Sequence, residues 1–144
     1  MKLVLDTDVV VAALRSPTGA AAEILRLARH RHITLAASVS LFVEYEAVCS
    51  RQPHLEAAGL TLTDVGVFLD ALPGMVHPVP IHYLWRPQLH DPADELVLEA
   101  AVNAHADALL SFNVRHFQRA AAKFGLPVSQ PGPFLRAFHG GKPS

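Results

Sequence analysis

Short blocks of apolar residues recur along the chain, and their period changes from block to block. Lys2–Leu5 is a run of β-formers with no helical spacing and reads as a buried strand. It stops at Asp6-Thr7-Asp8. A helical segment over Val9–Leu14 follows, and Ser16-Pro17-Thr18-Gly19 breaks it. Ala20–Arg31 carries apolar residues at Ala21, Ile24, Leu25 and Ala28, one face of a helix. Ile33–Ala36 predicts a second strand, and Ser38 an N-cap for a helix over Val39–Ser50. Leu60–Leu72 contains a helix with Thr61 or Thr63 as its cap, ended by Pro73-Gly74, and Met75–Val79 predicts a third strand. His82–His90 is irregular and carries the single tryptophan, Trp85. Beyond it come a helix over Ala93–Ala104, a strand over Asp107–Ser111 and a helix over Val114–Phe124 closed by Gly125. A last short strand starts at Val128, and a small helix lies near Phe134–Phe138.

Strands thus alternate with helices, and the clearest strands are apolar throughout. That pattern predicts an α/β fold with a central, mostly parallel sheet of four to five short strands flanked by helices in three layers. A length of 144 residues suits one domain, here spanning residues 1–139, with a frayed tail over 140–144.

Composition narrows the class. Hydrophobic residues make up 51% and charged residues 17%, which describes a packed globular chain and excludes a disordered one. The formal net charge is −1, so no strong basic field advertises nucleic-acid binding; metal held among acids would reverse that potential locally. Positive residues gather in two places, Arg26, Arg29 and Arg31 with His30 and His32, and Arg115, His116, Arg119 and Lys123. Each group by itself reads as a solvated helix face. The single cysteine, Cys49, excludes an intramolecular disulfide, reads as a small buried apolar residue, and fits a cytoplasmic location. No apolar stretch approaches a membrane span, and two aspartates interrupt the only signal-peptide-like run.

In parallel α/β sheets, ligands bind beyond the carboxyl ends of the strands. Asp6 directly follows the first strand and Asn113 the fourth; either can simply cap the helix after it, as can Asp8. Asp94 shares a helical stripe with Val97, Leu98 and Ala101, so it points inward. Asp91-Pro92-Ala93-Asp94 also has the form of a helix start, with Asp91 as N-cap. Glu44 and Glu46 lie at opposite edges of an apolar face centred on Tyr45, and spacing does not choose between them. Converging carboxylates suit hard divalent cations such as Mg²⁺ or Mn²⁺, which take oxygen ligands and promote phosphodiester hydrolysis.

Four segments resemble the PIN domain family, in its branch related to VapC-type toxins. They are LVLDTDVVVAAL at 3–14, ASVSLFVEYEAVCSR at 37–51, HDPADELVLEAAVNAHADALLSFNVRHF at 90–117 and the C-terminal PVSQPGPFLRAF. The resemblance implies a PIN-like fold and a metal-dependent endoribonuclease leaving a 5′-phosphate and a 3′-hydroxyl. Mg²⁺ or Mn²⁺ would be held by Asp6, Glu44 and Asp94, with Asp91 and Asn113 completing the catalytic set and Thr7 close to the metal. It favours Glu44 over Glu46. It further implies an RNA substrate, an antitoxin protein as partner, and a homodimer. Arg15 and Arg115 are candidates to hold phosphates, and His116 stands beside the site or on an exposed helix face. Two departures stand out: Asp8 occupies a position where the family usually has asparagine, and Asn113 is neutral where an acid is common.

Two rivals remain at this level. A PIN-like module that binds RNA or a protein without cutting fits the low charge, Asp8 and Asn113. Asp6-Thr7-Asp8-Val9-Val10 also resembles the start of haloacid-dehalogenase-type phosphatases, with Asp6 as nucleophile and Asp8 as acid–base group. That chemistry needs a lysine, and the chain has only Lys2, Lys123 and Lys142.

Overall fold

The computed structural model describes residues 1–51, 53, 56, 59–83 and 88–140. Five strands form one sheet: β1 (Lys2–Leu5), β2 (Thr34–Ala37), β3 (Val76–Pro78), β4 (Ala108–Leu110) and β5 (Val128–Ser129). Their order is β3-β2-β1-β4-β5 and every pairing is parallel. The apolar runs explain this. Leu3, Val4, Leu109 and Leu110 are wholly buried, as strands covered on both faces must be. Burying each such side chain contributes about 1.5–3 kcal/mol.

Seven helices are seen among the described residues: α1 (Thr7–Arg15), α2 (Ala20–Arg29), α3 (Val39–Cys49), α4 (Leu62–Ala71), α5 (Pro92–Asn103), α6 (Val114–Ala122) and α7 (Pro131–Gly140). Their starts follow local chemistry. Ser38 Oγ accepts from the Leu41 amide. Thr61, not Thr63, caps α4 in a reciprocal capping box with Asp64. Asp91 caps α5, with Pro92 in its first turn. Gly125 after α6 adopts a φ of +65°, a conformation that glycine accepts without steric cost.

Most boundaries agree with the hydrophobic pattern to within one or two residues. The C-terminal helix is the exception. It runs from Pro131, well before the expected Phe134, because proline and glycine are tolerated in a first turn whose amides have no partner within the helix. The β4 strand is also shorter than Asp107–Ser111, although the Asp107 and Ser111 amides still donate to the carbonyls of Lys2 and Ser129 at its two ends. Trp85 and the tail beyond residue 140 lie outside the described residues.

Helix packing decides what meets at the carboxyl ends of the strands. α1 packs against α2 and α3, α3 packs against α5, and α5 packs against β1, β2 and α6. The Tyr45 hydroxyl, in the middle of α3, donates to the carbonyl of Leu5 at 2.5 Å and ties α3 to the end of β1.

Candidate active site at the end of the sheet

From β1 the chain proceeds outward through β2 to β3, then returns to lay β4 on the other side of β1. The crevice of a parallel sheet opens where the strand order reverses. Here that point lies beyond the carboxyl ends of β1 and β4, where Asp6 and Ser111 follow directly.

Asp6 is the N-cap of α1 and is 7% exposed. One carboxylate oxygen accepts from the Thr7 amide at 2.7 Å, the other from Ser111 Oγ at 2.6 Å. Its amide donates to the carbonyl of Leu110, which fastens the start of α1 to β4. Capping and a place in the site therefore coexist. Ser111 was not singled out by the sequence. It is wholly buried, donates to Asp6 and accepts from the Asn113 amide at 2.8 Å. Its only sequence signal is a hydroxyl at the end of an apolar strand.

Asp8 Oδ2 accepts from the Phe112 amide at 3.1 Å and from Asn113 Nδ2 at 3.0 Å. Asn113 stands at the N-cap position of α6, yet its side chain makes no capping bond there. It spans instead to Asp8 and joins the loops after β1 and β4. The neutral side chain at position 113 and the extra acid at position 8 thus compensate one another: an amide can donate to a carboxylate where a second carboxylate would repel it. Asp8 Oδ1 and Thr7 Oγ1 are buried without a hydrogen-bond partner among the described residues.

Asp94 enters from the first turn of α5. Its stripe-mates Val97, Leu98 and Ala101 are fully buried, as the spacing requires, and its side chain is only 14% exposed. It does not close a capping box; His116 Nδ1 of α6 lies 3.3 Å from its Oδ2. Asp91 is exposed and occupied with the Ala93 amide.

The acids feel one another. Burial first, then the charge of Asp6, push the Asp8 carboxyl up to about 7. Burial also raises Asp6, against the opposing hydrogen bonds from Ser111 and Thr7. Asp94 is raised by burial, then by Asp6 and Asp91, and is partly restored by His116. The charge of Asp6 thus acts on both Asp8 and Asp94, and added positive charge would favour the ionised form of each.

Glu44 is half-buried on α3 beside Tyr45, whereas Glu46 is exposed and lines a separate apolar groove. Among the described residues no three acidic, histidine or cysteine side chains stand arranged to hold a metal ion, so Asp6, Glu44 and Asp94 do not form a preformed cage. The donor chemistry nevertheless fits a hard divalent cation: carboxylate oxygens under mutual repulsion, with two buried oxygens lacking partners among the described residues. Neither described lysine joins the Asp6–Asp8 pair. Lys2 Nζ bonds the carbonyl of Ala104, and Lys123 Nζ the side chain of Gln88. The phosphatase reading lacks its cation among the described residues. Cys49 is wholly buried, and burial pushes its thiol up to about 11, as suits an inert core residue.

No curated protein sequence matches the chain. Among solved structures, it resembles a chain of VapBC2 from Rickettsia felis, crystallised bound to a DNA fragment from its promoter. The TM-score is 0.62 at 16% identity, over 90% of this chain and 98% of that one. The family model described as the PIN domain matches residues 2–115, from β1 through the loop after β4 and into α6. That span contains Asp6, Glu44, Asp91, Asp94 and Asn113, and by that match the chain belongs to the PIN domain family.

Proposed function

We propose that this protein is a Mg²⁺- or Mn²⁺-dependent endoribonuclease and the toxin of a toxin–antitoxin pair. PIN domains are in general nucleases. The observation that supports the reading is Asp6, buried at the switch point of the sheet, with Asp94, distant in sequence, near enough for the charge of Asp6 to raise its carboxyl. Asp6, Asp94 and Glu44 would hold the cation, Glu44 reaching the site from α3, which packs against both α1 and α5. A bound divalent cation supplies positive charge against the charge that develops in phosphoryl transfer and acidifies water.

The chain's own residues set the conditions. Thr7 and Ser111 fix both oxygens of Asp6, so its lone pairs have defined directions. Burial and the charge of Asp6 raise the Asp8 carboxyl to about 7, which favours its protonated form and so lowers the repulsion around Asp6. Asn113 keeps Asp8 oriented, and Asp91 adds acidic potential beside Asp94. His116 balances Asp94 when that carboxylate has no other partner. The likeness to a VapBC2 chain supports an antitoxin partner. No helix among the described residues is long and apolar enough to cross a membrane. Action in the cytoplasm and a homodimeric state complete the proposal.

Incubating the protein with single-stranded RNA and Mn²⁺ tests it. Cleavage is expected to stop with EDTA and to fall at least ~100-fold in Asp6→Asn and Asp94→Asn, the scale of losing an essential electrostatic group. A non-cutting RNA- or protein-binding module is the second reading, favoured by the lack of a preformed cage. RNA binding without any cleavage in either metal would establish it.

A further inference from the structure

One face of α6 carries chemistry that the acid site does not use. Arg115, Arg119 and Lys123 recur every fourth residue, while Phe117, Ala120 and Ala121 are buried against the core. On a helix the three cations form a slowly drifting row, each about 6 Å further along the axis. All three are exposed, and none is salt-bridged to a carboxylate among the described residues.

The row borders a cleft of about 500 Å³ that is also lined by residues 88–91, Asp94 and His116. The segment 88–91 is held at its start. The buried Glu95 carboxylate accepts from the amides of Gln88 and Leu89, and the Gln88 side chain accepts from Lys123 across the cleft at 3.3 Å. The cleft therefore has cations at regular intervals along one side, and Asp91 and Asp94 among its lining residues.

We propose that this cleft is the track for the sugar–phosphate backbone of the single strand being cut. Arg115, Arg119 and Lys123 meet successive phosphates and lead one of them to Asp94 and Asp6. The inference rests on the nuclease reading for what lies at the end of the track. A polyanion with evenly spaced charges suits an evenly spaced row. Guanidinium groups at two of the three positions suit phosphate oxygens, which they bind in a bidentate manner. The near-neutral net charge of the whole chain then stops being an objection, because the positive potential is concentrated where the strand lies.

The test measures binding of a short fluorescent oligouridylate to the full-length protein in EDTA, where the probe stays intact. Three proteins are compared: wild type, the triple variant Arg115→Ala, Arg119→Ala, Lys123→Ala, and a charge-matched variant Arg29→Ala, Arg31→Ala, Arg136→Ala, whose sites lie outside the cleft. The cleft variant is expected to bind at least ~10-fold more weakly. Its dependence of log affinity on log salt should be shallower by about 2, near 0.7 for each single-strand phosphate contact removed. The charge-matched variant is expected to stay within about two-fold of wild type. Equal losses in both variants, or no loss in the cleft variant, overturn the track. So does a poly-glutamate peptide that binds wild type as tightly as the RNA and loses affinity in the same variant, because the cleft would then be a peptide site. Circular dichroism of each variant confirms folding, and Arg→Gln versions of the cleft residues replace any that unfold. Cleavage by wild type in Mn²⁺ is scored separately. Cleft-dependent binding without cleavage removes the nuclease reading and keeps the track; cleavage with cleft-independent binding does the reverse.

Discussion

Asp8 is the residue whose protonation links the site to stability. Its pKa stands at about 7 in the folded chain against an ordinary 3.8, so the folded protein holds a proton that the unfolded chain releases. The stability contributed is complete below 3.8 and is lost as pH rises through about 7. Without divalent metal, the melting temperature is therefore expected to be higher near about pH 5 than near about pH 8. Asp8→Asn keeps an oxygen for the Phe112 amide and Asn113 but cannot titrate, and should flatten that slope; an unchanged slope assigns the titration elsewhere. Ser111 supplies a second residue-level prediction. Ser111→Ala removes a donor from a buried carboxylate and an acceptor from the Asn113 amide, and is expected to destabilise the fold by about 1–3 kcal/mol in urea unfolding. Loss of activity without loss of stability in that variant would assign Ser111 to chemistry instead.

Among the elements, α3 has the most specific link to the site. The Tyr45 hydroxyl anchors it to the last carbonyl of β1, one residue from Asp6, and Glu44 precedes Tyr45 on the same turn. Tyr45→Phe leaves the Leu5 carbonyl without this donor and should cost about 1–3 kcal/mol, read from chemical denaturation. If Glu44 serves the site through α3, RNA cleavage in this variant falls by more than the unfolded fraction explains. Element types were legible because each block carries its own period and punctuation: Ser38, Thr61 and Asp91 announce helix starts, and Gly125 a helix end. The start of α7 was not legible, because Pro131-Gly132-Pro133 reads as a break until a helix is seen to begin there. The choice of Thr61 over Thr63 was decided by Asp64, which stands three residues after Thr61 and can return its bond.

At the scale of the whole molecule, fold and site stability are joined through the acids. Asp6 and Asp8 stand at the start of α1 and Asp94 at the start of α5, and burial raises all three, so the apo protein works against their repulsion. A cation that binds only the folded chain offsets this. Mn²⁺ at 100 times its dissociation constant should stabilise by about 2.7 kcal/mol, seen as a rise in melting temperature. Asp94→Asn and Glu44→Gln should each reduce that rise. No rise in wild type at millimolar Mn²⁺ would dismiss the cation assignment, whatever the RNA assays show.

The alternation of apolar strands with amphipathic helices was decided by sequence alone, because side-chain periodicity follows directly from the geometry of each element. It sufficed for a parallel α/β chain, for the inward direction of Asp94, and for Asp6 at a strand end. Partnerships across the molecule were decided only by the tertiary structure. Ser111 reaching Asp6, Asn113 leaving its cap position for Asp8, and His116 meeting Asp94 all join elements far apart in the chain. No local period encodes such contacts; they exist because β4 is laid beside β1 and α6 beside α5. The same holds for the basic row on α6, which reads as an ordinary solvated face until the segment 88–91, held by Glu95, is seen to line a cleft with it.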